Sequence, residues 1–201
     1  MKKSIILIIL FTTITMFGQT ADQPSGKAYR RSSVHNANLV RTVYGNWGVI
    51  GQPGGGGPRG AWIYDTNGYI GDVSPMIGAE IEYWDSVGDS MKTAHSVVIC
   101  PISRPSTGKE ESSTGQKWSF EPVAGYFNEE NEKVAMSTDK TSWPPYWPDK
   151  LDESDPGWAG EWNGLFGKGV FNADQESYYV MNDNNDEEFN YSANNEFGLA
   201  F

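Results

Sequence analysis

AEIEYWD at residues 79–85 and TAHSVVIC at residues 93–100 read as two strands joined across SVGDSM at residues 86–91, where Gly88 and Asp89 supply the turn chemistry. The first strand alternates. Ile81 and Tyr83 fall on one face and Glu80, Glu82 and Trp84 on the other, so one side of the hairpin is expected to be wet. The same pattern recurs outward from this hairpin. Residues 38–44 (NLVRTVY) set Leu39, Arg41 and Val43 against Val40, Thr42 and Tyr44, and residues 47–50 (WGVI) would continue that strand beyond a Gly45-Asn46 turn. Residues 117–123 (KWSFEPV) and 175–181 (QESYYVM) share the strand composition. Long helical periodicities are missing, while Gly 23 and Pro 11 supply many turns. The expected fold is therefore all-β: an antiparallel sheet or sandwich-like core with long Gly/Pro/Trp-rich irregular loops.

The loops carry their own signals. QPGGGGPRG at residues 52–60 is too rich in glycine to hold a shape of its own, and a phosphate-cradling reading fails because no helix start and no Lys-Ser/Thr pair follows. Pro101 and Pro105 end the hairpin, and residues 103–116 form a polar loop. From residue 138 to 169 the chain runs through Trp143, Pro144, Pro145, Tyr146, Trp147, Pro148, Pro156, Trp158, Trp162 and Phe166. Prolines at this density forbid a regular helix, so the segment's own aromatic rings have to pack it down.

Residues 1–18 read as a cleavable export signal. Lys2 and Lys3 give a basic start, residues 4–17 an apolar run broken by threonines, and Gly18 with Ala21 small residues for cleavage. This run is shorter than the roughly 20 apolar residues needed to span a bilayer, which weighs against a stable membrane anchor. A lipid anchor needs a cysteine at the signal's end, and the single cysteine is Cys100. The same count rules out an internal disulfide and leaves stability to packing. The expected organisation is a signal peptide at 1–18, an N-terminal extension at 19–37 and one β-rich domain at 38–201, truncated at its C-terminus because EFGLAF at 196–201 stops on apolar residues. The expected location is periplasmic or extracellular, at the cell surface or beyond it.

Losing Lys2 and Lys3 with the signal moves the formal charge from -11 to -13. A chain this acidic is a poor partner for nucleic acid or an anionic membrane, both of which are bound through Lys and Arg. Charge is also uneven along the chain. Residues 19–109 hold seven acidic and eight basic side chains, whereas residues 110–201 hold nineteen acidic side chains and five lysines. Aromatic residues at 13% are far more than a disordered acidic chain carries, so the protein is expected to fold.

Catalytic signatures are absent from the sequence. No Gly-x-Ser-x-Gly turn occurs, His35 and His95 have no motif around them, and Cys100 beside Val98, Ile99 and Pro101 reads as a buried, inert thiol. One cysteine and two distant histidines do not make a zinc site. Calcium suits the hard oxygen ligands better, with Asp174, Glu176, Asp183 and Asp186 as candidate ligands, although no cofactor is required by any motif. An EF-hand counted from Asp183 fails: its sixth position is Glu188 where a glycine is needed, and its twelfth is Asn194 where a glutamate is needed. An acidic surface turn is the alternative reading of the same residues.

Trp143, Trp147, Trp158 and Trp162 are candidate glycan-stacking residues, because indole faces pack on the apolar faces of sugars. The alternative is that these rings are the local core of the irregular segment. Burial separates the two. For sugar hydrolysis, Glu80, Glu82, Glu161, Asp174 and Glu176 are present, but nothing in their spacing selects an acid and its partner.

Three stretches together resemble one family. NLVRTVYGNWGVIG from Asn38 with GYIGDVSPMIGAE from Gly68, TSWPPYWPDKLDESDPGWAGEWNGLFG from Thr141, and NADQESYYVMNDNND from Asn172 are similar to the N-terminal region of large secreted β-rich proteins of Gram-negative bacteria that use type IX secretion. The resemblance implies longer relatives that continue into fibronectin type III-like modules and a C-terminal sorting domain, neither of which occurs in this sequence. It implies no activity. The functional expectation is thus a binding or structural role in an exported cell-surface or secreted protein, with polysaccharide or other surface proteins as partners. The alternative is a secreted carbohydrate-active protein, either a glycan-binding module or part of a glycoside hydrolase.

Overall fold

The structure is a computed structural model that describes residues 24–51, 53, 56–63, 67–85, 87–100 and 119–184. The fold is all-β, and every strand pairing is antiparallel. Strands β1 (Ser32–His35), β2 (Val40–Gly45) and β3 (Arg59–Trp62) form a three-stranded sheet in that order. A long hairpin pairs β4 (Met76–Asp85) with β5 (Ser90–Ile99). Two short ladders complete the strands: β6 (Glu121–Pro122) with β9 (Met181–Asn182), and β7 (Asn163–Gly164) with β8 (Gly167–Lys168). Between them the chain makes short 3-10 turns at Lys27–Tyr29, Lys140–Ser142, Pro148–Lys150 and Pro156–Trp158.

The hairpin is where the sequence places it, and longer. Its pairing runs from Asp85 opposite Ser90 back to Met76 opposite Ile99, because each residue added to one strand finds a ladder partner on the other. Asp85 closes the turn: its Oδ1 accepts from the Val87 N–H at 3.0 Å and its other oxygen pairs with Lys92. These donors, led by Lys92, hold the Asp85 carboxyl below its usual value. Glu80 and His95 sit opposite one another on the wet face, 3.2 Å apart and both well exposed.

Three differences from expectation have physical causes. Residues 32–35 lie in the stretch expected as an N-terminal extension, yet they pair with β2 from Ser32 opposite Gly45 to His35 opposite Thr42. A partner strand, not local propensity, makes SSVH a strand. Strand β3 emerges from the end of the glycine loop, and that loop is held down by the Val43 N–H donating to the Pro58 carbonyl at 2.7 Å. Where strands are expected at 117–123 and 175–181, the described residues form β6 at Glu121–Pro122 and β9 at Met181–Asn182, paired with each other, and the Val123 N–H donates to the Val180 carbonyl at 2.9 Å beyond Pro122, which has no N–H to give.

Among the described residues, two buried clusters form the core. Trp47, Val49, Cys100 and Phe120 form one, with Met181 packed against it. Cys100 is buried there, and burial pushes its thiol up to about 12, the behaviour of an inert structural cysteine. Val123, Tyr126, Ala135, Trp143, Trp147 and Trp162 form the other, joined by Trp158, Tyr178 and Val180. A bidentate ion pair ties the N-terminal segment to this body: Arg30 Nε and Nη2 donate to the two Glu121 oxygens at 2.8 and 2.5 Å. Among the described residues, no helix is long and apolar enough to cross a membrane. The signal at 1–18, the polar loop at 103–116 and the chain end at 196–201 lie outside the described residues.

Candidate functional site

The irregular segment is organised around its indoles. Trp143, Trp147 and Trp162 are 7%, 1% and 1% exposed, and each ring N–H is satisfied internally. Trp143 Nε1 donates to the Met136 carbonyl at 2.6 Å, Trp147 Nε1 to the Glu161 carbonyl at 2.8 Å, and Trp162 Nε1 to Glu176 Oε2 at 2.8 Å. Their faces meet one another at 43° and 88°, with Phe171 stacked on Trp162 and Tyr178 edge-on to Trp147. Trp158 is partly buried against the same cluster, beneath the Lys150 ammonium at 4.9 Å. Of the four rings expected as a glycan platform, Trp143, Trp147 and Trp162 are thus packed in the core, tilted or edge-on to one another, while Trp158 stays partly exposed at its margin.

The residues expected to hold calcium lie as follows. Glu176 does not face outward; its carboxylate accepts from the N–H groups of Asn172 at 2.5 Å and Ala173 at 2.9 Å, in addition to Trp162. Among the described residues, no group of three or more His, Cys, Asp or Glu side chains converges on a point a metal could occupy. Asp174 and Asp183 are exposed on separate stretches of the chain, and Asp186 lies outside the described residues. Glu176 is a structural acceptor instead. Burial works to raise its carboxyl, but the donors outweigh burial and hold the pKa below the ordinary 4.5.

A pH dependence follows from that depression. In the unfolded chain Glu176 titrates near its ordinary value, so the stability carried by the ionised form is complete above that value and is lost as the pH falls through the lower folded one. Glu176→Gln places an amide among donors that need an acceptor, and should cost about 1–3 kcal/mol near neutrality. It should also flatten the acid limb of the stability curve. Urea midpoints measured across the acid range check this; parallel curves for variant and parent would exclude the assigned role.

Beside the buried indoles lies an open cleft of about 580 Å3. Phe127, Trp143, Pro145, Tyr146, Pro148 and Leu151 give it apolar walls, and Asn128, Glu129 and Glu130 stand on the other side. Tyr146 and Leu151 are 51% and 49% exposed, so the walls present free apolar surface. Both sides are fixed. Asn128 pins the acidic turn, its N–H donating to the Ser142 carbonyl and its side-chain amide to the Thr141 carbonyl, both at 2.9 Å. Opposite, the Trp147 N–H donates to the Gly157 carbonyl at 2.7 Å. Asp149 is held by the Tyr178 hydroxyl at 2.8 Å and the Asn163 amide at 3.0 Å. Gly157 has φ +73° and lies so near Tyr146 that a Cβ there would stand 2.7 Å from the tyrosine's own Cβ; only glycine lets the chain cross behind the ring.

No family model, curated protein or solved structure matches the chain. What the cleft can hold follows from its lining. Of the four tryptophans expected to bind ligand, Trp143 alone lines it, and Tyr146 is the ring that faces outward. No periodicity in the WPPYWP stretch signals this: Trp143 and Pro144 are both buried and Pro145 and Tyr146 both exposed, because the chain bends at residues 145 and 146. The two histidines stay apart from the cleft. His35 Nε2 sits 3.2 Å from Ser177 Oγ with its ring tilted on Tyr44, and burial lowers its pKa. Its further partner is the Gln175 amide, not a carboxylate that would orient a base.

Proposed function

We propose that this protein is an exported binding protein whose ligand lies in the cleft between the acidic turn at 128–130 and the wall at 145–151. The observation that supports this most directly is a preformed, half-apolar cleft of about 580 Å3 whose exposed ring, Tyr146, is not needed by the core. Export is supported by the basic, then apolar, then small-residue order of residues 1–18. A binding role is favoured over a catalytic one because carboxylates at the cleft, Glu129 and Glu130, are adjacent on one turn and do not face each other across a substrate.

The carbohydrate reading is retained as a second proposal on one observation, the half-exposed Tyr146 ring, which offers a face on which a sugar ring can stack. Both readings make Tyr146 the anchor. Tyr146→Ala should reduce affinity for the true ligand at least tenfold, the usual effect of truncating an aromatic anchor, while leaving thermal stability nearly unchanged because the ring is outside the core. Titration of parent and variant with peptide and oligosaccharide panels checks it. Identical binding by both proteins would remove the cleft from consideration.

A further inference from the structure

We infer that the cleft takes an extended peptide carrying lysine or arginine next to proline or another apolar residue, an inference that rests on the binding reading above. Charge is the first ground. Glu129 and Glu130 are exposed at the cleft, and among the described residues their carboxylates form no ion pair. Neighbouring cations are engaged elsewhere: Arg30, which with Arg31 shares a second hollow with these two glutamates, pairs with Glu121; Arg31 donates to the Asn131, Ala28 and Arg30 carbonyls and covers Phe127; Lys140 lies over the Trp143 ring at 5.2 Å; and Lys150 pairs with Asp149 and covers Trp158. A chain of net charge -11 also draws cations toward such a rim from a distance.

Shape and chemistry of the walls supply the second ground. Slots lined by aromatic rings and prolines suit an extended backbone of the polyproline type, which is stiff before it binds and so loses little freedom on docking. Tyr146, Pro145 and Pro148 line the cleft together with Glu129 and Glu130, and Tyr146 is the exposed ring among them, since Phe127 is buried with the Arg31 guanidinium 4.6 Å over its face. An aromatic face next to a carboxylate is the arrangement that holds an ammonium or guanidinium group while its aliphatic stem lies on the ring. A neutral glycan can use these carboxylates as hydroxyl acceptors but gains nothing from their net charge, whereas a cationic side chain gains from both. Because both walls are pinned by hydrogen bonds, little of the binding energy goes into ordering them.

Fluorescence anisotropy on the full chain tests this with three labelled probes: a short proline-rich peptide with several arginines, the same peptide with glutamate in place of arginine, and a neutral β-glucan oligosaccharide. The basic peptide should bind, and its affinity should fall as salt rises from about 50 mM to about 500 mM. Replacing each of Glu129 and Glu130 by Gln should weaken it roughly two- to fivefold per carboxylate, and Tyr146→Ala at least tenfold. If the oligosaccharide or the acidic peptide binds as well as the basic one and Tyr146→Ala abolishes that binding, the cationic peptide is overturned while the cleft stands. Basic-peptide binding that survives both E129Q/E130Q and Tyr146→Ala would be general attraction to an acidic protein, which also overturns it. No binding by any probe overturns the peptide and the cleft together.

Discussion

Trp162→Ala should lower the unfolding free energy by about 3–5 kcal/mol, the range for emptying a large aromatic site, and should do so without changing the denaturant slope. Trp162 is the ring on which the others converge: it is 1% exposed and meets Trp143, Trp147 and Phe171. Its removal also strips the Glu176 carboxylate of one of its three donors. Against a total of about 5–15 kcal/mol for a domain of this size, that is a large share, and the melting temperature should drop by roughly 6–20 °C. Trp162→Phe separates the two contributions. Phenylalanine keeps most of the packing but no donor, so it should lose about 1–3 kcal/mol, and the loss should shrink at acid pH where Glu176 is protonated. A Trp162→Ala variant within about 1 kcal/mol of the parent would show that the indole cluster is not the core.

How much of this was legible depends on how local each signal is. The hairpin could be read from residues 79–85 and 93–100 because strand alternation and turn chemistry are written within twenty-odd residues, and the same holds for β2. Strand β1 could not, since SSVH becomes a strand through its pairing with β2 and not through its own composition. The indole core was visible as composition but not as geometry. Which of Trp143, Tyr146 and Trp147 turns inward depends on acceptors outside the stretch itself, the Met136 carbonyl for Trp143 and the Glu161 carbonyl for Trp147. The cleft depends on the same choice, and the acidic turn that faces it is held by Thr141 and Ser142, more than ten residues away. Proline density told that the segment is irregular; it carried no information on which face of that irregular chain meets solvent.

Breaking the Arg30–Glu121 pair from one side should cost about 3–5 kcal/mol, while replacing both partners by apolar residues should restore most of it. The two side chains are 13% and 8% exposed, and the bonds between them are bidentate at 2.8 and 2.5 Å, so neither charge finds enough water when the other is removed. Arg30 also lies over the Trp47 ring at 5.1 Å, which places the pair beside one buried cluster while Glu121, in β6, leads into the other. Around it the backbone repeats the connection: the Gly26 N–H donates to the Pro122 carbonyl at 3.1 Å and the Ala124 N–H to the Pro24 carbonyl at 2.8 Å. Glu121→Leu and Arg30→Met should therefore each destabilise strongly, and Arg30→Met with Glu121→Leu should be far milder than the sum, a coupling that urea denaturation of the four proteins measures. Trypsin supplies an independent readout. With the pair broken at Glu121, Lys27, Arg30 and Arg31 should become cleavable under native conditions at a rate that tracks the lost stability. A detached tail would behave differently: the substitutions would leave the urea midpoint unchanged, and trypsin would cut the parent as fast as the variants. That outcome would return residues 24–31 to the status of an extension and leave the three-stranded sheet to begin without them.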